Sequence, residues 1–142
     1  MVPDTWYLYT QKQKMTIKKK IPTQFEFPLR SSPKILFGFL STADGLEEWF
    51  ADKVTIKDGN YIFHWDGEER KAKIIAKKDN QFIKFNWINE DQDTYLEFNI
   101  VTDELTNDVS LMITDFCLES EKKETQQLWS SQIHDLMHII GS

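Results

Sequence analysis

The chain has 142 residues, a formal net charge of −6, and 40% hydrophobic, 28% charged and 13% aromatic residues. This length points to one domain with enough chain for a full core, and the composition excludes disorder. The acidic balance argues against a nucleic-acid partner, because a general binder needs a basic surface to neutralise phosphates.

The N-terminus, "MVPDTWYLYTQKQK", carries Pro3 and Asp4 where a signal peptide needs a basic region followed by an apolar run. Residues 1–14 are expected to form a mobile or edge-adding extension, with Met15 as an alternative start. Residues 15–142 are expected to form a single domain. Lys18-Lys19-Lys20 is the only basic block, and it reads as a solvated strand edge that discourages pairing. From Thr16 to Phe27, Ile17, Ile21, Phe25 and Phe27 share a period-2 face opposite Lys18, Lys20, Gln24 and Glu26, the pattern of a half-buried strand. Pro22 demands a free edge or a bulge there, and Pro28 is expected to end the strand.

"SSPKILFGFLS" opens with a serine cap and Pro33 at the first helical position. Ile35, Leu36, Phe39 and Leu40 then give a helical stripe. In "TADGLEEWFADKV", Thr42 or Asp44 can cap a second short helix running to Ala51, with Leu46, Trp49 and Phe50 on one face. Such bulk on a short helix suits a plug for the end of the core. A β-meander follows, with apolar parities Val54/Ile56, Tyr61/Phe63/Trp65, Ala72/Ile74/Ala76, Ile83/Phe85/Trp87, Leu96/Phe98/Ile100 and Val109/Leu111/Ile113. The punctuation is Asp58-Gly59, Asp66-Gly67, Asp79-Asn80, "NEDQD" and "DELTND"; "DGEERK" reads as a hairpin turn. The final stretch, with Leu128, Trp129, Ile133, Leu136, Met137 and Ile140 at three- and four-residue spacing, predicts an amphipathic helix of about five turns closed by Gly141.

The order strand, two helices, six strands, long helix predicts an α+β fold: a curved seven-stranded antiparallel sheet wrapped around the C-terminal helix, its one end closed by the helical pair. The chain resembles the START-like, helix-grip superfamily, which includes Bet v 1-like proteins, polyketide cyclases and activators of the ninety-kilodalton heat-shock chaperone's ATPase. The likeness is nearest to an uncharacterised group of Bacteroidetes proteins. It is carried by "TADGLEEWFADKV", "FHWDGEERKAKI", "IKFNWINED", "TYLEFNI", "LMITDFCLE" and "LWSSQIHDLMHIIG", which span about residues 16–141. The resemblance implies a bacterial protein with a cavity between sheet and C-terminal helix that holds an apolar or amphipathic ligand. Fold alone does not settle function.

The candidate ligand-binding residues are the inward aromatic and aliphatic positions Phe63, Trp65, Ile74, Phe85, Trp87, Phe98, Leu111, Trp129, Ile133 and Met137, with Asp115 placed inward by the parity of Ile113. Each apolar one could equally be core filling. A cyclase-like enzyme would need titratable groups in the cavity; Asp115 is the best, though it could be a structural aspartate or mark a bulge, and Tyr61 and Arg70 are weaker. His64 falls on the outward parity. No nucleophile–base pair, phosphate loop or carboxylate pair is evident, so no catalytic residue is assigned and no cofactor is expected. His134 and His138 share a helical face and could make half a zinc site, but no third ligand is near, so no metal is assigned. Tyr95, Met112 and Phe82 on the outer parity offer a patch for a partner protein or for a homodimer. The lone Cys117 fits a reducing compartment, and no apolar run is long enough for a membrane span, so the expected location is cytoplasmic. Binding module, interaction module and enzyme is the order in which these readings stand.

Overall fold

The computed structural model describes residues 19–91 and 93–141. The N-terminal extension and the expected strand start at Thr16 lie outside them. Strand β1 (Lys20–Leu29) continues through Pro28, where the sequence suggested a stop. It lies at one edge of the sheet, and its ladder with the last strand runs unbroken from Lys20↔Leu118 to Leu29↔Val109. An edge strand tolerates proline because a missing N–H on its free side forfeits no ladder bond.

Helix α1 (Pro33–Ser41) is capped by Ser32, whose Oγ accepts from the Ile35 N–H at 3.2 Å. Helix α2 (Ala43–Trp49) is capped by Thr42, whose Oγ1 accepts from the Gly45 N–H at 2.9 Å. Thr42 alone separates the two helices, so the corner is tight. Phe50 ends α2 as its C-cap.

Strands β2 (Lys53–Lys57), β3 (Asn60–Trp65), β4 (Glu68–Lys78), β5 (Phe82–Trp87), β6 (Leu96–Thr102) and β7 (Val109–Leu118) follow. The sheet is antiparallel throughout, in the order β1-β7-β6-β5-β4-β3-β2. Asp58-Gly59 and Asp66-Gly67 both take positive φ, the primed two-residue turn that matches strand twist. The turn after β3 is therefore only Asp66-Gly67; Glu68, Glu69 and Arg70 belong to β4, contrary to the reading of "DGEERK" as loop. One apolar parity also fails locally: Ile56 is 52% exposed because it lies on the outermost strand. In β4 the alternation holds across a register shift between Ile74 and Ala76, with Ile74 and Ala76 half-buried and Ile75 exposed. A short 3-10 turn (Glu119–Glu121) leads into helix α3 (Lys122–Ile140), which ends on Gly141 in the left-handed conformation at φ 73°.

The sheet and α3 enclose one aromatic core. Phe50 lies at its centre: its ring stacks on Trp129 at 5.8 Å and 9°, and meets Trp49, Phe63, Trp65 and Phe98 at centroid distances of 5.3–5.9 Å. One side chain thus ties α2 to β3, β6 and α3. Leu46, Trp49, Phe50 and Val54 are all buried, so the apolar bulk of the second helix plugs the core.

Candidate functional site

The plug does not fill the whole space between sheet and helix. Beyond Phe50 lies a cleft of about 850 Å³. Its walls come from the start of β1, the adjoining ends of β3, β4 and β5, the loop into β6, the end of β7 and the N-terminal half of α3. Phe50, Trp65, Trp87, Tyr95, Phe116 and Trp129 supply aromatic surface; Asp115, Arg70, Glu90, Asp91, Lys20 and Glu121 supply charge.

Asp115 reaches the cleft because β7 keeps its alternation. Val109, Leu111, Ile113 and Cys117 are buried inward at the same parity, and the β1–β7 register shows no bulge at residue 115. Trp129 Nε1 donates to its Oδ2 at 3.0 Å, and the Phe116 N–H donates to its Oδ1 at 2.9 Å. Burial pushes the Asp115 carboxyl above its ordinary value; the two hydrogen bonds and the charges of Arg70 and Lys20 pull the other way without cancelling it. Arg70 lies at the rim, with its guanidinium 3.8 Å above the Trp87 ring and Nη2 donating to Glu90 Oε1 at 2.6 Å. The loop that brings Glu90, Asp91 and Tyr95 to the cleft is held by the buried Asn86, whose Nδ2 donates to the Thr94 carbonyl at 2.7 Å.

The cleft floor is latched by one carbonyl. Phe50 O, left open at the end of α2, accepts from Trp65 Nε1 at 2.7 Å and Gln132 Nε2 at 3.4 Å; terminal helix carbonyls need such outside partners. Phe50, Trp65 and Gln132 form a wall between this cleft and a second hollow beside α2 and the C-terminal half of α3. His134 and His138 face that second hollow, exposed. Among the described residues no group of three His, Cys, Asp or Glu side chains could hold a metal.

The structure divides the sequence candidates. Trp65, Trp87, Asp115 and Trp129 line the cleft. Phe63, Phe85, Phe98, Leu111 and Ile133 are fully buried in the core, and Ile74 and Met137 pack against it half-buried. Tyr61 is buried away from the cleft, its hydroxyl donating to the Ser41 carbonyl, and burial pushes its phenol up. His64 is half-buried, with Nδ1 3.8 Å from Glu69. Of the expected outer patch, Met112 and Phe82 are half-buried, while Tyr95 lines the cleft, with Lys84 Nζ 3.8 Å above its ring. Phe50, Glu90, Gln132 and Leu128 were not singled out for the cleft. Leu128 had a signal: it belonged to the apolar stripe of α3 yet is 69% exposed at the lip.

A sheet gripping one long helix, with an open cleft between them, defines the helix-grip class. The START-like superfamily domain matches residues 15–142, and the chain belongs to that superfamily. A solution structure from Bacteroides fragilis is 37% identical, covers 86% of this chain and 92% of its own, and superposes with a TM-score of 0.63. The solution structure of the Aha1 dimer from Colwellia psychrerythraea is 16% identical over 82% and 93% of the two chains, with a TM-score of 0.68. DynU16, from the dynemicin biosynthetic locus, is 11% identical over 85% of this chain and 47% of its own, with a TM-score of 0.70. The last two share the fold. No curated protein matches the chain. Among the described residues no helix is long and apolar enough to cross a membrane.

Proposed function

We propose that this protein binds a small amphipathic molecule in the cleft between the sheet and α3. The observation that carries the reading is the cleft itself, a concavity of about 850 Å³ with an aromatic floor and a charged, polar rim. Small-molecule sites are concave, mostly apolar and roughly 300–1,000 Å³ in volume. The first two turns of α3, Lys122–Leu128, bury no side chain, and Leu128 stands open at the lip. A bound apolar body supplies the contact that these turns lack.

Native mass spectrometry of protein purified from its own host, followed by denaturing extraction, tests this. The expected result is a stoichiometric adduct of low mass that is released on unfolding. A bare chain mass, together with no shift of the thermal midpoint across a set of amphipathic compounds, overturns it. The same spectrum reports assembly. The Colwellia relative is a dimer, so a ligand-free dimer would transfer the weight to a protein-interaction module.

A further inference from the structure

The charges around the cleft are not equivalent. Lys20, Arg70, Glu90, Asp91 and Glu121 are all exposed at the rim, whereas Asp115 sits deeper and is shielded. Arg70 is already engaged by Glu90 and by the face of Trp87, so that pair presents little net charge to a ligand. What remains is Asp115, Asp91 and Glu121 against Lys20. No described cation lies within ion-pair distance of Asp115; its partners are two neutral N–H donors. A carboxylate has about four acceptor positions, so two stay open.

Resting on the binding reading above, we infer that the cleft selects a cationic amphiphile: a primary ammonium group seated on Asp115 beside Trp129, its apolar body lying along the Phe50–Trp65 floor towards Leu128. A neutral head group would leave the half-buried carboxylate with only the more distant charges of Arg70 and Lys20, and an anionic one would meet it as a like charge. Both are unfavourable beside a partly desolvated carboxylate.

Three probes with the same tail separate the possibilities: decylamine, decanol and decanoate, each below its micellar concentration, titrated against the full chain at neutral pH and followed by tryptophan fluorescence and calorimetry. Decylamine is expected to bind at least about tenfold more tightly than decanol, which corresponds to about 1.4 kcal/mol, with decanoate weakest. In Asp115→Asn the amine-to-alcohol ratio is expected to fall to about threefold or less. Should that variant misfold, raising the ionic strength on the wild-type protein is expected to shrink the same ratio. Decanol or decanoate binding as tightly as decylamine overturns the charge selection and leaves the cleft as a binding site. No saturable binding by any of the three overturns the binding reading, and this inference with it.

Discussion

Asp115 is kept in the cleft at a cost to folding. Its carboxyl titrates above the ordinary value of 3.8, chiefly because burial disfavours the charged form, against the smaller opposing pull of Trp129, the Phe116 N–H, Arg70 and Lys20. The unfolded chain therefore releases this proton first as pH rises. Below pH 3.8 both states hold the proton, and the group costs nothing. Stability falls as pH rises from 3.8 through the folded value, and the loss then stays constant. Asp115→Asn resembles the protonated acid at every pH. Urea unfolding at pH 3 and pH 7 should show the difference, variant minus wild type, moving in the variant's favour at pH 7; an unchanged difference would mean that the carboxylate is adequately solvated in the cleft. Trp49, by contrast, stabilises the fold by burial and a hydrogen bond: it is 6% exposed, with Nε1 donating to the Phe39 carbonyl at 2.8 Å. Trp49→Ala should cost about 3–5 kcal/mol by urea unfolding, and a loss below about 1 kcal/mol would show that α2 does not plug the core.

At the scale of elements, the helical pair depends on a close approach. A Cβ on Gly45 would fall 2.7 Å from Phe39 Cα and closer still to the Gly38 carbonyl oxygen. Both are backbone atoms, so the corner between α1 and α2 would have to open. Gly45→Ala should therefore destabilise by about 1–3 kcal/mol, the usual cost of overpacking, although alanine is the better helix former; denaturant unfolding and the near-ultraviolet signal of Trp49 report it. The caps, the two Asp-Gly turns and the Gly141 stop were legible in the sequence because each is a local rule obeyed within three or four residues. The exposure of Ile56 was not. It depends on which strand lies at the edge, and that is not encoded in the strand's own alternation. Asp115 was legible because β7 is unbroken there.

For the whole molecule, the antiparallel meander and the single long helix followed from the order of elements, but the pairing of β1 with β7 and the cleft did not. Periodicity says which residues point inward; it does not say how far along α3 the sheet stays in contact. Phe63, Phe85, Phe98 and Leu111 point inward and fill the core, while Trp65 and Trp87 point inward at the end where the helix stands away. Helix α3 is thus two helices in energetic terms. From Trp129 to Leu136 it is anchored by three buried side chains, whereas Lys122–Leu128 has none. Local opening free energy follows buried contacts. Amide hydrogen exchange should accordingly be faster in Lys122–Leu128 than in Trp129–Leu136 in the ligand-free protein. A ligand that bridges Leu128 to the aromatic floor stabilises the closed state by about 2.7 kcal/mol at a hundredfold excess over its dissociation constant, which is about a hundredfold slowing of any opening that releases it. Exchange mass spectrometry with and without decylamine should show that slowing over Lys122–Leu128. Slowing confined to Asp135–Ile139 would instead place the ligand in the second hollow, on the far side of Phe50 and Gln132.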